Sequence, residues 1–162
     1  MTEVAVRVGT PEDVDGMMRL AESACEENGL TRPDTNKLLQ EIWSALNLHH
    51  GIVGVIGEPN TKLEAAILLR TEEMWYSNEP SLVERAVFVH PDFRSAKGGR
   101  AARLVEFAKQ AATNLGMPLV IGIISSQRTE AKIKMYQRHL GGPSGAYWIW
   151  PSKTGEWDKS TD

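Results

Sequence analysis

Apolar residues fall at alternate positions in Val4, Val6 and Val8, a period of two that predicts a first strand. Thr10, Pro11 and Asp13 then supply a cap, a proline for the first helical position and an acidic first turn, which together start a helix. Its apolar stripe is Val14, Met17, Met18, Ala21 and Ala24, and Gly29 is placed to stop it. A second helix is predicted over residues 34–47, with Leu38, Leu39, Ile42, Ala45 and Leu46 on one side. Residues 51–57, 63–70 and 82–90 are apolar and rich in β-branched side chains, and turn clusters separate them, so they predict an antiparallel meander. Trp75 and Tyr76 are expected to extend its middle strand. After Pro91 the period becomes helical: Ala101, Leu104, Val105, Ala108, Ala111, Ala112 and Leu115 share a face that ends at Gly116. Residues 119–124 then read as a short buried strand, 129–140 as a helix and 146–150 as a final strand.

The order is β-α-α-β-β-β-α-β-α-β. Passage from the third meander strand through a crossover helix to residues 119–124 implies one parallel pair in an otherwise antiparallel sheet. The fold class is therefore mixed α/β, a mostly antiparallel sheet flanked by helices. A length of 162 residues with 41% apolar content suits one core, so we expect one domain over 1–151 and a polar tail over 152–162. The formal charge of −3 and a pI near 5.8 provide no global attraction to nucleic acid or to an anionic membrane. Cys25 is the only cysteine, which excludes an internal disulfide and multi-cysteine zinc frameworks, and no metal site is expected. The acidic start lacks the pattern of a signal peptide and no stretch is long enough to span a bilayer, so a reducing, cytoplasmic setting is expected.

The chemistry concentrates in Ala86-Val-Phe-Val-His-Pro-Asp-Phe-Arg-Ser-Ala-Lys-Gly-Gly-Arg-Ala-Ala-Arg-Leu104, a strand, a proline turn, a basic glycine loop and a helix start. Unpaired N–H groups and the positive dipole end at such a helix start favour an anion, and Gly98 and Gly99 let it approach the backbone. Arg94, Lys97 and Arg100 add charge, so a diphosphate fits. Neither a Gly-Lys-Ser/Thr loop nor a Gly-x-Gly-x-x-Gly turn is present, which removes the common nucleotide and dinucleotide folds.

Val87-x-Val-x-Pro-x-Phe-Arg94, followed by x-x-Lys-x-Gly99-x-Ala, resembles motif A of the GNAT N-acetyltransferases, whose loop Gln/Arg-x-x-Gly-x-Gly/Ala holds the pyrophosphate of acetyl-CoA. The element order is similar to theirs along nearly the whole chain. His90-Pro-Asp-Phe-Arg94, Leu104-Val-Glu-Phe-Ala-Lys109 and Arg128-Thr-Glu-Ala-Lys132 further resemble small GNATs of phage and prophage genomes. The resemblance implies the GNAT acyl-CoA N-acyltransferase fold, acetyl-CoA as co-substrate, and a cofactor site made by Phe88, Val89, Arg94, Ser95, Lys97, Gly98, Gly99, Arg100 and Ala101. Lys97 stands where the family has its first glycine, so either the loop suits L-residues there or the register shifts to Gly98.

Acetyl transfer to an amine calls for a base to take the ammonium proton and a donor for the thiolate. The resemblance implies a tyrosine on the late helix as the donor. Tyr136 is the tyrosine on that helix, though Ala131 and Gly141 each lie five residues away where the family pattern has four, a rotation of about 100°. For the base the resemblance implies Glu84, at the start of the strand entering motif A where the family often places a carboxylate, with Glu73 second and His90 behind both. Arg85 is a candidate to pair with a neighbour. Backbone N–H groups near Phe88 and Val89 are the candidate oxyanion donors. Trp75, Tyr76, Tyr147, Trp148 and Trp150 have three readings: core, acceptor pocket, or the contact of a homodimer. His49 and His50 read as a helix end, and Cys25 on the first helix leaves no acyl-cysteine route.

The combined expectation is an acetyl-CoA-dependent N-acetyltransferase in which a small-molecule or protein amine attacks directly in a ternary complex. A CoA-binding interaction protein with weak turnover is one alternative. A modifier of nucleic acid is another, and the acidic net charge weighs against it.

Overall fold

The computed structural model describes residues 4–94, 97–123 and 128–150. Its sheet runs in the order β1-β2-β3-β4-β5, with β1 at Arg7–Val8, β2 at Gly51–Ile56, β3 at Ala65–Glu73, β4 at Pro80–Val89 and β5 at Leu119–Val120. The helices are α1 (Val14–Asn28), α2 (Thr35–Leu46), α3 (Arg100–Leu115) and α4 (Thr129–Leu140). Strands β1 to β4 are antiparallel neighbours, and β5 lies parallel to β4 through the pairs Leu82–Leu119 and Val83–Val120. This is the parallel pair that the α3 crossover requires.

Local chemistry sets the helix boundaries. Asp13 accepts from the Thr10 N–H at 2.8 Å and from both guanidinium nitrogens of Arg7 at 2.7 and 2.8 Å, so the turn before α1 is tied to β1. Asp34 accepts from the Lys37 N–H at 2.9 Å and starts α2. Gly116 ends α3 in the left-handed conformation.

Alternation along β3 feeds two cores. Ala66 and Leu68 join Met17, Leu20, Ile42 and Leu46 of α1 and α2 on one face, whereas Ala65, Ile67 and Leu69 join Leu104, Ala108 and Ala112 of α3 on the other. A sheet covered on both faces explains why the meander strands read as nearly continuous apolar runs.

Several elements differ from the sequence expectation. Val4 and Val6 pack beside the α3-side core, but ladder pairing at the first strand is confined to Arg7–Val8. Trp75 and Tyr76 do not extend β3: Glu73 already pairs with Pro80, so residues 74–79 must close the hairpin, and the two rings are 95% and 71% exposed. Pairing in β5 stops at Val120, and Ile124 lies outside the described residues. The final strand is also absent, because residues 146–150 form no ladder and Tyr147, Trp148 and Trp150 lie open to solvent. Strand preference in aromatics comes from packing against a neighbouring strand, and among the described residues these five have none; Trp75 and Tyr76 meet each other edge to face, and Tyr147 lines the large cavity. The core reading of these five aromatics is therefore overturned. The expected tail lies outside the described residues. No helix among the described residues is long and apolar enough to cross a membrane.

Candidate active site

The site forms where two neighbouring strands part. Beyond Val83 and Val120, β4 and β5 no longer pair, and the Gly122 N–H instead meets the Glu84 carboxylate at 3.4 Å. On the other side of β4, Leu68 pairs with Ala86 and Leu69 with Glu84, so Arg85 is a bulged residue without a partner in the ladder. A bulge bends the strand and re-aims its side chains. Glu84 and Arg85 both line a cavity of about 1400 Å³ bounded by β4, β5, α1, the start of α3 and α4.

Glu84 is half-buried, and its carboxyl is pushed up to about 7, mainly by burial, against the pull of the Gly122 N–H and of Arg85. Tyr136 lines the same cavity, and burial, with the Glu84 charge, holds its phenol well above the ordinary tyrosine value. Two titratable groups in one cleft with their values displaced is the arrangement expected at a functional site. The five-residue spacing does not turn Tyr136 away. Ala131 and Met135 line the cavity together with Lys132 and Tyr136, so α4 presents a face wide enough for both i,i+4 pairs.

The other base candidates are elsewhere. Glu73 is exposed at the end of β3 and does not line the cavity. His90 turns to its own loop, where Nδ1 accepts from the Asp92 N–H at 3.2 Å. Arg85 pairs with Glu72 and reaches Glu41 at 4.0 Å. Cys25 lines the cavity, but burial and Glu22 push its thiol up, away from a reactive thiolate. His49 and His50 stack edge to face at the exposed end of α2.

At the start of α3 both glycines have positive φ, +120° at Gly98 and +56° at Gly99, whereas Lys97 does not. Lys97 thus holds a conformation open to L-residues, and the positive-φ positions of the loop fall on Gly98 and Gly99. A Cβ on Gly98 would meet Val4 Cγ2 at 2.8 Å, while Gly99 is open, with Ala102 Cβ at 4.0 Å as its near neighbour. Among the described residues no side chain caps the N-terminus of α3. Such uncapped N–H groups beside an open glycine suit a phosphate group.

The three arginines of this segment, Arg94, Arg100 and Arg103, are turned inward. The side chain of Arg100 is 9% exposed, donates to Glu64 at 2.7 Å and lies over Phe93. Arg94 donates through Nε to the Val89 carbonyl at 3.0 Å and through a terminal nitrogen to Glu27 at 2.6 Å. Arg103 donates to the Gly98 carbonyl at 2.7 Å. Lys97 is exposed, Ala101 lines the cavity beside Gly99, and Ser95 lies outside the described residues.

The ladder also sorts the backbone donors. The His90 N–H bonds the Glu64 carbonyl at 2.8 Å, so alternation turns the Phe88 peptide groups to Ala66 and those of Val87 and Val89 away from β3. Arg94 meets the Val89 carbonyl on that open side. Phe88 contributes its ring beneath the Arg94 guanidinium, at 5.1 Å. Sequence reasoning missed Glu27, Arg128, Lys132 and Gly122. An acidic pair at a helix end and basic residues on a late helix look like solvated surface, and only the fold brings them to one cavity.

No protein-family model and no curated protein matches the chain. Solved structures do match. An integron cassette protein from the mobile metagenome of Cole Harbour Salt Marsh superposes with a TM-score of 0.67 at 21% identity, covering 91% of this chain and 89% of that one. The ribosomal-protein-alanine N-acetyltransferase of Brucella melitensis biovar Abortus 2308 gives 0.63 at 16%, covering 93% and 99%. The aminoglycoside acetyltransferase AAC(6')-Iy, in complex with a CoA-linked bisubstrate analogue, gives 0.68 at 15%, covering 94% and 99%. The fold is that of the GNAT acetyltransferases, as the motif-A resemblance implies.

Proposed function

We propose that the chain is an N-acetyltransferase that binds acetyl-CoA in the cleft between β4 and β5 and passes the acetyl group to a small-molecule amine. The observation that carries this reading is the joint placement of Glu84, Tyr136 and the uncapped, glycine-led start of α3 around one cavity. It is supported by neighbours of the same fold that are described in complex with CoA or with a CoA-linked analogue.

Acetyl-CoA supplies an activated thioester. The N–H groups at Gly98 to Ala101 hold its diphosphate, and the N–H groups of Val87 and Val89, free of the β3 ladder, are the donors for the carbonyl oxygen. Glu84 takes the proton of the amine. A carboxyl at about 7 is ionised over the upper half of the neutral range, and the nitrogen becomes strongly acidic as it bonds to the carbonyl carbon, so a stronger base is not required.

Tyr136 faces a different test of magnitude. Its phenol is held above the ordinary tyrosine value, whereas a thiolate has a reference value near 8.5, so full proton transfer to sulfur runs uphill. The phenol therefore acts by donating a hydrogen bond as charge develops on sulfur. Tyr136→Phe should lower the acetylation rate by roughly ten- to a hundredfold and leave CoA affinity within about twofold, since that bond strengthens only in the transition state. Full retention of activity in the variant would remove Tyr136 from the mechanism. The reading as a whole is tested by presenting isotopically labelled acetyl-CoA with pooled amines. Label should appear in at least one amine, and binding of CoA without transfer across a broad panel would favour a CoA-binding interaction protein.

A further inference from the structure

The mouth of the cavity holds a charge cluster that the transfer chemistry does not use. Glu27, in the last turn of α1, takes the Arg94 guanidinium at 2.6 Å, and both side chains are mostly covered, at 16% and 24% exposure. Lys132, in the first turn of α4, and Arg128, the residue just before that helix, line the same cavity. Burial holds the Lys132 ammonium below its ordinary value, with Glu27 drawing it up and Arg94 and Arg128 pressing it down. Among the described residues, Arg94 and Lys132 thus share the Glu27 carboxylate, and Arg128 stands near enough to Lys132 to repel it. The excess of positive charge lies inside a cleft, where fields are stronger than at open surface.

Helical spacing orders this cluster relative to the chemistry. Lys132 and Tyr136 lie four residues apart and so share a face of α4, Arg128 is the residue just before the helix, and Tyr136 feels the Glu84 charge. At about 1.5 Å per residue, Lys132 stands about 6 Å from Tyr136 along the helix, toward its N-terminus. Arg128 also holds a left-handed backbone conformation, φ +53°, which is unusual for an L-residue with a side chain of this size.

We propose that Arg128 and Lys132, with Arg94, form an anion subsite that takes a phosphate group of the cofactor from the α4 side, opposite the N–H groups of α3. Glu27 gathers these cations in the free protein. The inference rests on the cofactor reading above, and it adds residues that motif A does not contain. Because no residue of α4 is buried, substitution of Lys132 or Arg128 leaves the core untouched.

The test is calorimetric titration of the wild type, Lys132→Ala and Arg128→Ala with CoA, dephospho-CoA and pantetheine. Each variant should bind CoA about tenfold more weakly, as expected for loss of one charge-assisted hydrogen bond, with pantetheine binding and the melting midpoint of the free protein unchanged. A loss that persists with dephospho-CoA assigns the subsite to the diphosphate; one that vanishes assigns it to the 3′-phosphate. Unchanged CoA affinity in both variants, or an equal loss with pantetheine, would overturn the proposal while leaving the cofactor reading intact. Failure of the wild type to bind CoA would remove both together.

Discussion

Gly99→Glu is expected to weaken CoA binding by at least about a hundredfold while the protein stays folded. Gly99 holds φ +56° at the start of α3, and among the described residues no side chain caps that start and a Cβ at Gly99 has no neighbour closer than 4.0 Å. The side chain would therefore fit sterically, and the structural cost is the strain of an L-residue in the left-handed region, about 1–2 kcal/mol. That is a tolerable fraction of an ordinary folding stability of about 5–15 kcal/mol. Binding suffers more. A carboxylate about 4 Å from one phosphate charge costs about 4 kcal/mol at an effective dielectric of 20, and it also blocks the approach to the backbone. Gly99→Ala separates the two effects, because it carries the strain without the charge and should keep affinity within a few-fold. Calorimetry with CoA reads both variants, and unchanged affinity in Gly99→Glu would mean that this loop is not the phosphate site.

Glu84→Gln should lower the acetylation rate by about 10²–10³ and remove the acidic limb of its pH profile. The carboxyl titrates at about 7 in the folded protein against an ordinary value of 4.5. Only the ionised form accepts a proton, so wild-type kcat/KM should rise through about pH 7, and the variant should be flat there. Stability has the opposite dependence. A folded value raised above the unfolded one means that this group's contribution is complete below about 4.5 and is lost as pH rises toward 7. Relative to wild type, Glu84→Gln should therefore be equally stable at acid pH and more stable at pH 8. A slow variant with a higher melting midpoint at pH 8 cannot be explained as misfolding. A rate limb that survives in Glu84→Gln would assign the base to another group.

The strands and helices that could be read from the sequence are those whose pattern is enforced by burial. Ile67 and Leu69 face α3 while Leu68 faces α1 and α2, so the run at residues 63–70 was legible as a strand covered on both sides. Helix α3 carried its own stop in Gly116. Trp75, Tyr76 and residues 146–150 were misread because composition signals a strand only when a partner strand exists, and none among the described residues pairs with them. At the site, the strand-turn-helix order marked Gly98 and Gly99 as an anion-binding start of a helix, and Glu84 was singled out by the motif-A resemblance. The roles of the cations could not. Arg94 meets a carboxylate 67 positions away and Arg100 one 36 positions away, so whether each faces a ligand or the protein depends on tertiary pairing. Tyr136 was in doubt on spacing because that rule assumes a narrow stripe, and the width of the α4 face that lines the cavity is set by where β4 and β5 part.

Every role given to these residues depends on the cleft binding the CoA moiety, which thermal unfolding with saturating CoA, ATP or inorganic phosphate can decide. A ligand that binds only the folded state adds about 2.7 kcal/mol at a hundred times its dissociation constant, which for a chain of this length moves the midpoint by several degrees. CoA should produce such a rise, ATP a clearly smaller one and phosphate almost none. No rise with CoA, or an equal rise with ATP, would contradict the assignment of this cleft to CoA.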